Sequence, residues 1–155
     1  MPQLSLHTPV GPITVSEEDG AIVALDWGWG RDQTETATLC EARAQLHAYF
    51  DGERTDFTLK LKPAGTVYRR RVWQALCDIP YGATRSYGEI ARAIGNPNAC
   101  RAVGMANNRN PIALIIPCHR VIGADGSLTG YGGGLPLKER LLAHERSVLA
   151  GRGER

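Results

Sequence analysis

Apolar and polar residues alternate in short runs through the first thirty positions. Leu4 to His7, Ile13 to Val15 and Ile22 to Trp27 form the runs, and Gly11-Pro12 and Asp19-Gly20 interrupt them. A period of two, bounded by turn-forming pairs, predicts short antiparallel strands joined by tight turns. From Thr38 the period changes. Leu39, Ala42, Leu46 and Phe50 then share one helical face, Thr38 and Glu41 can close a capping box, and Gly52 supplies a stop. Phe57 to Leu61 reads as one more strand, and Pro63-Ala64-Gly65 as a boundary. The expectation is a small α/β lobe over residues 1–65.

Residues 66–155 read as mainly helical. Thr66 can cap a helix that buries Val72, Trp73, Leu76 and Ile79, with Arg69, Arg70 and Arg71 outside and Pro80-Tyr81-Gly82 as its end. Ser86 and Glu89 have capping-box spacing ahead of Ile90, Ala91 and Ile94. Gly95-Asn96-Pro97 breaks that helix, and Asn98 can cap the next, which runs through Arg101 and Val103. Two short helices around a glycine-containing turn predict a helix-turn-helix. Ile112 to Ile116 is an apolar run that must be buried, and Pro117-Cys118-His119-Arg120 follows it directly. Gly130-Tyr131-Gly132-Gly133-Gly134 is too flexible for an element interior and predicts a loop. A last helix from Leu135 is expected to bury Leu137, Leu141, Leu142 and Val148.

Composition adds little except through its distribution. The chain is 155 residues long, 43% hydrophobic and 22% charged, as folded domains are. No apolar run approaches the roughly 20 residues of a membrane span, and residues 1–10 lack a signal-peptide pattern. The expectation is a protein without a membrane partner, in the cytoplasm (at the nucleoid if bacterial). Residues 1–65 hold 5 Lys and Arg against 10 Asp and Glu, whereas residues 66–155 hold 13 against 6. A basic half joined to an acidic one points to a polyanionic partner for the basic part. Cys40, Cys77, Cys100 and Cys118 contain no short-spaced pair of the kind zinc sites use, and they read as free thiols.

The chemistry concentrates at Cys118. It stands at the exit of a buried run with His119 beside it. A free thiol has a pKa of about 8.5, so an imidazole that takes its proton would make the nucleophile available at neutral pH. A carboxylate behind the imidazole would fix its tautomer and stabilise its cation. Glu145 on the last helix offers one, although the plainer readings are a solvated helix end for Glu145 and an ordinary turn residue for Asn110.

Several motifs now stand in order: Ile79-Pro80-Tyr81-Gly82, Ser86-Tyr87, Gly95-Asn96-Pro97, Arg101-Ala102-Val103-Gly104, Asn110-Pro111, Pro117 to Val121, Gly130 to Gly134, and Lys138 to Glu145. Together they resemble the methylated-DNA–protein-cysteine methyltransferases, the O6-alkylguanine-DNA alkyltransferases, over about residues 66–146. The N-terminal lobe matches only loosely. The resemblance implies an α+β protein with an RNase H-like N-terminal lobe of antiparallel sheet plus helix, then a helical lobe with a winged helix-turn-helix. It implies direct-reversal repair, in which the alkyl group of O6-alkylguanine, with O4-alkylthymine as a candidate second substrate, moves once and irreversibly to Cys118. His119 would act as base through a water, Glu145 would orient it, and Asn110 would brace the turn. Tyr87 would donate a hydrogen bond to the guanine oxygen as the alkyl group leaves.

An alkyl group on O6 faces the duplex interior, so the nucleotide must be flipped out. The resemblance makes Arg101 the plug for the gap, on a helix laid in the minor groove. Ala102 and Gly104 keep that helix slim, and Arg120 could meet phosphates. Tyr131, Gly132 and Gly133 would wall the pocket. Some relatives carry a hydroxyl residue at the position of Gly132, so its absence suggests room for larger alkyl groups. The expected partner is double-stranded DNA containing alkylated guanine, the expected working form a monomer, and no cofactor is implied. Relatives with a structural zinc use cysteines and histidines of the N-terminal lobe. That lobe here has only His7, Cys40 and His47, so no metal is expected. A non-catalytic lesion binder of the alkyltransferase-like kind is the main alternative, and Cys118 argues against it. A plain helix-turn-helix regulator leaves Pro117 to Val121 without a purpose. A thiol hydrolase would turn over, whereas a thioether on cysteine would not.

Overall fold

At Asp19-Gly20 the chain reverses with both residues at positive φ, 52° and 78°, the backbone of a two-residue hairpin turn whose twist suits the strands it joins. Those strands are β2 (Ile13–Glu18) and β3 (Ala21–Trp27). With β1 (Gln3–Leu6) they make an antiparallel sheet in the order β1-β2-β3. The computed structural model describes residues 1–131 and 133–153. By contact they divide into two compact units, Met1–Ala64 with Pro111–Ile115, and Gly65–Asn110 with Ile116–Arg155.

In the first unit α1 (Ala37–Phe50) packs across β1 and β2. Leu39, Ala42 and Leu46 meet a sheet face that buries Leu4, Leu6, Ile13 and Val15. Alternation alone would leave the other face wet, yet Ser5, Thr14 and Ser16 are buried there too. Segment 28–34 satisfies the first two: Thr14 donates to the Gly28 carbonyl (2.8 Å), and Gln33 bonds both the amide and the hydroxyl of Ser5 (2.8 Å each), while Ser16 accepts from the Gln3 side chain (3.3 Å). The cap of α1 is Thr36, whose hydroxyl accepts from the Leu39 amide, rather than the expected Thr38–Glu41 box. Phe57 to Leu61 is no regular strand; it makes one parallel bridge, Ile22 to Leu61. Pro111–Ile115 adds a second, with the Leu25 amide donating to the Pro111 carbonyl at 2.9 Å.

In the second unit α2 (Val67–Cys77) is capped by Thr66, as its sequence predicts, and buries Val72, Trp73 and Leu76. Ser86 and Glu89 close the expected capping box on α3 (Tyr87–Ala93). Gly95 at φ 80° turns the chain toward α4 (Cys100–Asn108). Asn98 does not cap α4; the residue before the helix is Ala99, with no side-chain cap bond. The Trp73 indole donates to the Ala106 carbonyl (2.8 Å) and pins α4 to α2. Two-residue strands β4 (Arg85–Ser86) and β5 (Val121–Ile122) pair in parallel beside this helix-turn-helix. The last helix, α5 (Leu135–Gly151), buries Leu141 and Leu142, but Leu137 and Val148 are only half-buried. The places expected for apolar residues go to Lys138 and Glu145, both 0% exposed. No described helix is long and apolar enough to cross a membrane.

Candidate active site

Pro117 sets the geometry of the site. Its φ of −79° and ψ of 63° make the centre of an inverse γ-turn, closed by the Cys118 amide on the Ile116 carbonyl at 2.7 Å. A proline ring holds φ near this value without cost. A 3₁₀ turn, Cys118–Arg120, follows at once and carries the three side chains into the interior of the second unit. Asn110 donates from Nδ2 to the Ile116 carbonyl (2.9 Å), which braces the γ-turn from the side. Asn107 on α4 donates to the Cys118 carbonyl (3.3 Å).

Cys118 is only 4% exposed. The next residue, His119, is fully buried, and its Nε2 lies 2.7 Å from Glu145 Oε2. Its Nδ1 is buried with no hydrogen-bond partner among the described residues, so one ring nitrogen is held and the other is open. Burial pushes the His119 pKa below its ordinary value, and the bond to Glu145 only partly opposes this. The ring therefore rests neutral, as a proton acceptor must. Glu145 accepts from Arg120 Nε (2.9 Å), Arg120 Nη2 (3.0 Å) and the Gly82 amide (3.0 Å) as well. Burial alone would raise the Glu145 pKa; the His119 and Arg120 hydrogen bonds and charges outweigh it and hold the carboxyl well below the usual range.

Arg120 corrects an expectation. Arg120 is only 6% exposed, and its guanidinium bonds Glu145 twice and the Ile79 carbonyl once (2.8 Å). A charge turned inward and paired in this way does not meet phosphates; it neutralises Glu145 and lies 5.5 Å from the Tyr81 ring centroid. The plainer reading of Glu145 as a solvated helix end also fails.

The loop after β5 closes the other side. The Tyr131 hydroxyl is buried, and burial first, then the nearby Cys118 charge, pushes its pKa far up. Gly133 lies in the same loop, half-buried, and Gly132 is outside the described residues. The Tyr87 hydroxyl lies 2.6 Å from the Thr129 hydroxyl. Lys138 Nζ donates to the Val121 carbonyl (2.6 Å) and the Thr129 carbonyl (3.0 Å), and burial lowers its pKa.

Cys118, His119, Glu145 and Tyr131 are thus together, with Asn110 bracing the turn behind them. Arg101 and Ala102 stand apart from them on the exposed side of α4, and Gly104 is half-buried under the Tyr87 ring. Lys138, Asn107 and Thr129 were missed by sequence reasoning. A signal existed for two of them: Lys138 falls on the helical face of Leu141, Leu142 and Glu145, and Asn107 on that of Val103. No group of three His, Cys, Asp or Glu among the described residues could hold a metal ion.

The chain is similar to known proteins along almost its whole length. A family model described as "6-O-methylguanine DNA methyltransferase, DNA binding domain" matches residues 67–147. A second, the "ribonuclease-like domain" of the same family, matches residues 4–63. The methylated-DNA–protein-cysteine methyltransferase of Methanosarcina barkeri is 51% identical over 152 residues, covering 93% of this chain and 96% of that one. The protein of the same name from Mycobacterium leprae is 49% identical over 152 residues, covering 92% and 90%. A Mycobacterium tuberculosis protein crystallised in complex with DNA superposes with a TM-score of 0.88 at 47% identity, covering 96% of this chain and 94% of that one. With both domain models matched in tandem and near-half identity along almost the whole length, this chain belongs to the 6-O-methylguanine DNA methyltransferase family.

Proposed function

We infer that this protein repairs DNA by direct reversal, taking the alkyl group of O6-alkylguanine in double-stranded DNA onto Cys118 in a single, irreversible turnover. The observation that carries this reading is the buried Cys118 thiol beside a neutral His119 whose far nitrogen is fixed by Glu145. The Cys118 proton passes through a water to His119 Nδ1, and Glu145 stabilises the imidazolium that forms. The thiolate then attacks the alkyl carbon. A carbon–sulfur bond forms, the carbon–O6 bond breaks, and its electron pair stays on guanine, which is reprotonated. Tyr87 donates a hydrogen bond to the guanine oxygen as that charge appears. The product thioether has no good leaving group, so the protein is spent.

Residues 66–155 form the DNA-binding and catalytic domain in this reading, and residues 1–65 the supporting lobe. Arg101, exposed at the start of α4, fills the gap left by the flipped nucleotide. Ala102 and Gly104 keep α4 slim enough for the minor groove. The crystallised DNA complex of the Mycobacterium tuberculosis relative supports a DNA partner here. The protein acts as a monomer in the cytoplasm, at the nucleoid in a bacterial cell. Gly133 and Tyr131 wall the alkyl pocket.

Intact-protein mass after incubation with a duplex carrying one O6-methylguanine tests the reading. The expected result is one added methyl per protein, mapped to Cys118 and absent from Cys118→Ala. Tight lesion binding with no added mass would make the protein a recogniser without chemistry, and no binding would remove the reading altogether.

A further inference from the structure

The hydroxyl pair of Tyr87 and Thr129 has no role in the scheme above, yet it links the helix-turn-helix to the loop over Cys118 at 2.6 Å. Tyr87 is the first residue of α3, and the Ser86–Glu89 capping box fixes its backbone. Its ring lies beside α4: a Cβ placed at Gly104 would meet Tyr87 Cε1 at 3.7 Å, an ordinary contact, so the bare glycine leaves space next to the ring. The capping box leaves free the tilt of the phenol and the direction of its proton. Thr129 governs both. Its hydroxyl is 2.6 Å from Tyr87 Oη, and either oxygen can be the donor.

Thr129 is itself held firmly. Lys138 Nζ bonds its carbonyl while also bonding that of Val121 in β5. The neighbouring Gly130 lies against Asn108 of α4, where a Cβ would approach Asn108 Nδ2 to 3.3 Å. A buried ammonium on α5 therefore anchors the residue that meets the phenol.

We propose that Thr129 is a positioning residue for alkyl transfer, which donates its hydroxyl hydrogen to Tyr87 Oη and so turns the Tyr87 proton toward the flipped base. This rests on the reading of Tyr87 as donor to the guanine. A phenol has one proton, and if that proton is spent on Thr129 it cannot serve the base. With Thr129 as donor, the phenol is aimed and its own donor strength rises, because hydrogen bonds in a chain polarise one another. The Lys138 bond to the Thr129 carbonyl keeps the threonine where this geometry needs it. The benefit appears as charge develops on guanine, so it belongs to the transfer step more than to lesion binding.

A double-mutant cycle on the full protein tests this, using single-turnover methyl transfer from an O6-methylguanine duplex at several protein concentrations. Thr129→Val should lower the limiting rate about three- to tenfold, the scale of one hydrogen bond, with the half-saturating concentration nearly unchanged. Thr129→Ser, which keeps the hydroxyl, should restore the rate. In a Tyr87→Phe background Thr129→Val should add almost nothing. Thr129→Ala runs through the same cycle, and thermal melts confirm that each variant is folded.

An undiminished rate in Thr129→Val and Thr129→Ala, with Tyr87→Phe slow, would overturn the proposal and leave the Tyr87 reading intact. An equal loss from Thr129→Val in both backgrounds would overturn it as well, since Thr129 would then act on the loop and not on the phenol. Full speed in Tyr87→Phe would remove the Tyr87 role beneath it, and no transfer by the parent protein would remove the repair reading itself.

Discussion

At Glu145 four donors converge on one carboxylate: two from Arg120, one from the His119 ring and one from the Gly82 amide. The Arg120 charge balances that of Glu145, so the imidazole beside them is not driven to become a cation. That leaves His119 free to accept a proton and still supports it once charged. Both His119 and Glu145 have folded pKa values below their ordinary 6.5 and 4.5. The unfolded chain therefore takes up protons first as the solution is acidified. The stability that each contributes is complete above its ordinary value and is lost as pH falls below it, His119 first and Glu145 second. Urea unfolding across pH should show stability level near neutrality and then declining in two stages. His119→Gln should remove the first stage and keep the second; an unchanged profile would mean that His119 does not rest neutral and buried. None of this could be read from Arg120 in the sequence, where an arginine in a basic half looks like a phosphate ligand.

Gly82 shows how elements constrain the site. It follows the end of α2 at φ 78°, and its amide reaches Glu145 on α5. A Cβ there would run into Leu149 Cδ1 on the same helix. Gly82→Ala therefore meets an unfavourable backbone and a steric clash together, and should cost about 1–3 kcal/mol, read as a lower urea midpoint with unchanged slope. A neutral result would mean that α5 shifts freely, which would also loosen Glu145. Helices α2 and α3 were legible because their caps are local: Thr66 and Ser86 each sit three residues before the amide they bind. The start of α1 was misread because Thr36 and Thr38 are both competent caps, and the sequence does not rank them. The strand expected over Phe57 to Leu61 failed for a different reason. Phe57, Leu59 and Leu61 alternate as half-buried residues, but the one bridge they make is Leu61 to Ile22, while Phe57 stacks on Tyr49 of α1.

For the whole molecule the cost of function is stability. Cys118 is 4% exposed, so a methyl group left on its sulfur crowds its neighbours wherever it extends beyond the alkyl pocket. Overpacking by one methyl costs about 1–3 kcal/mol, which at this length lowers the Tm by roughly 2–12 °C. Calorimetry of the protein before and after complete reaction with an O6-methylguanine duplex, with the DNA removed, should show that drop. Equal midpoints would mean that the pocket holds room for the alkyl group in the folded state. The first unit also takes in Pro111–Ile115, a segment distant in sequence from the rest of it. The apolar run was legible as buried; which unit buries it was not.

By itself the sequence determined the three N-terminal strands and the main helices, the caps of α2 and α3, the helix-turn-helix and the pairing of Cys118 with His119, because periodicity, capping and covalent adjacency are local properties. The ordered motifs also carried the family. Only the tertiary structure decided that Glu145 and Arg120 form a buried pair 25 residues apart, that Lys138 faces inward, and that Tyr87 meets Thr129 across 42 residues. A charged residue on an apolar helical face can snorkel outward or turn in to a partner. The choice depends on whether an opposing donor or acceptor lies within reach, and only the folded chain brings one there.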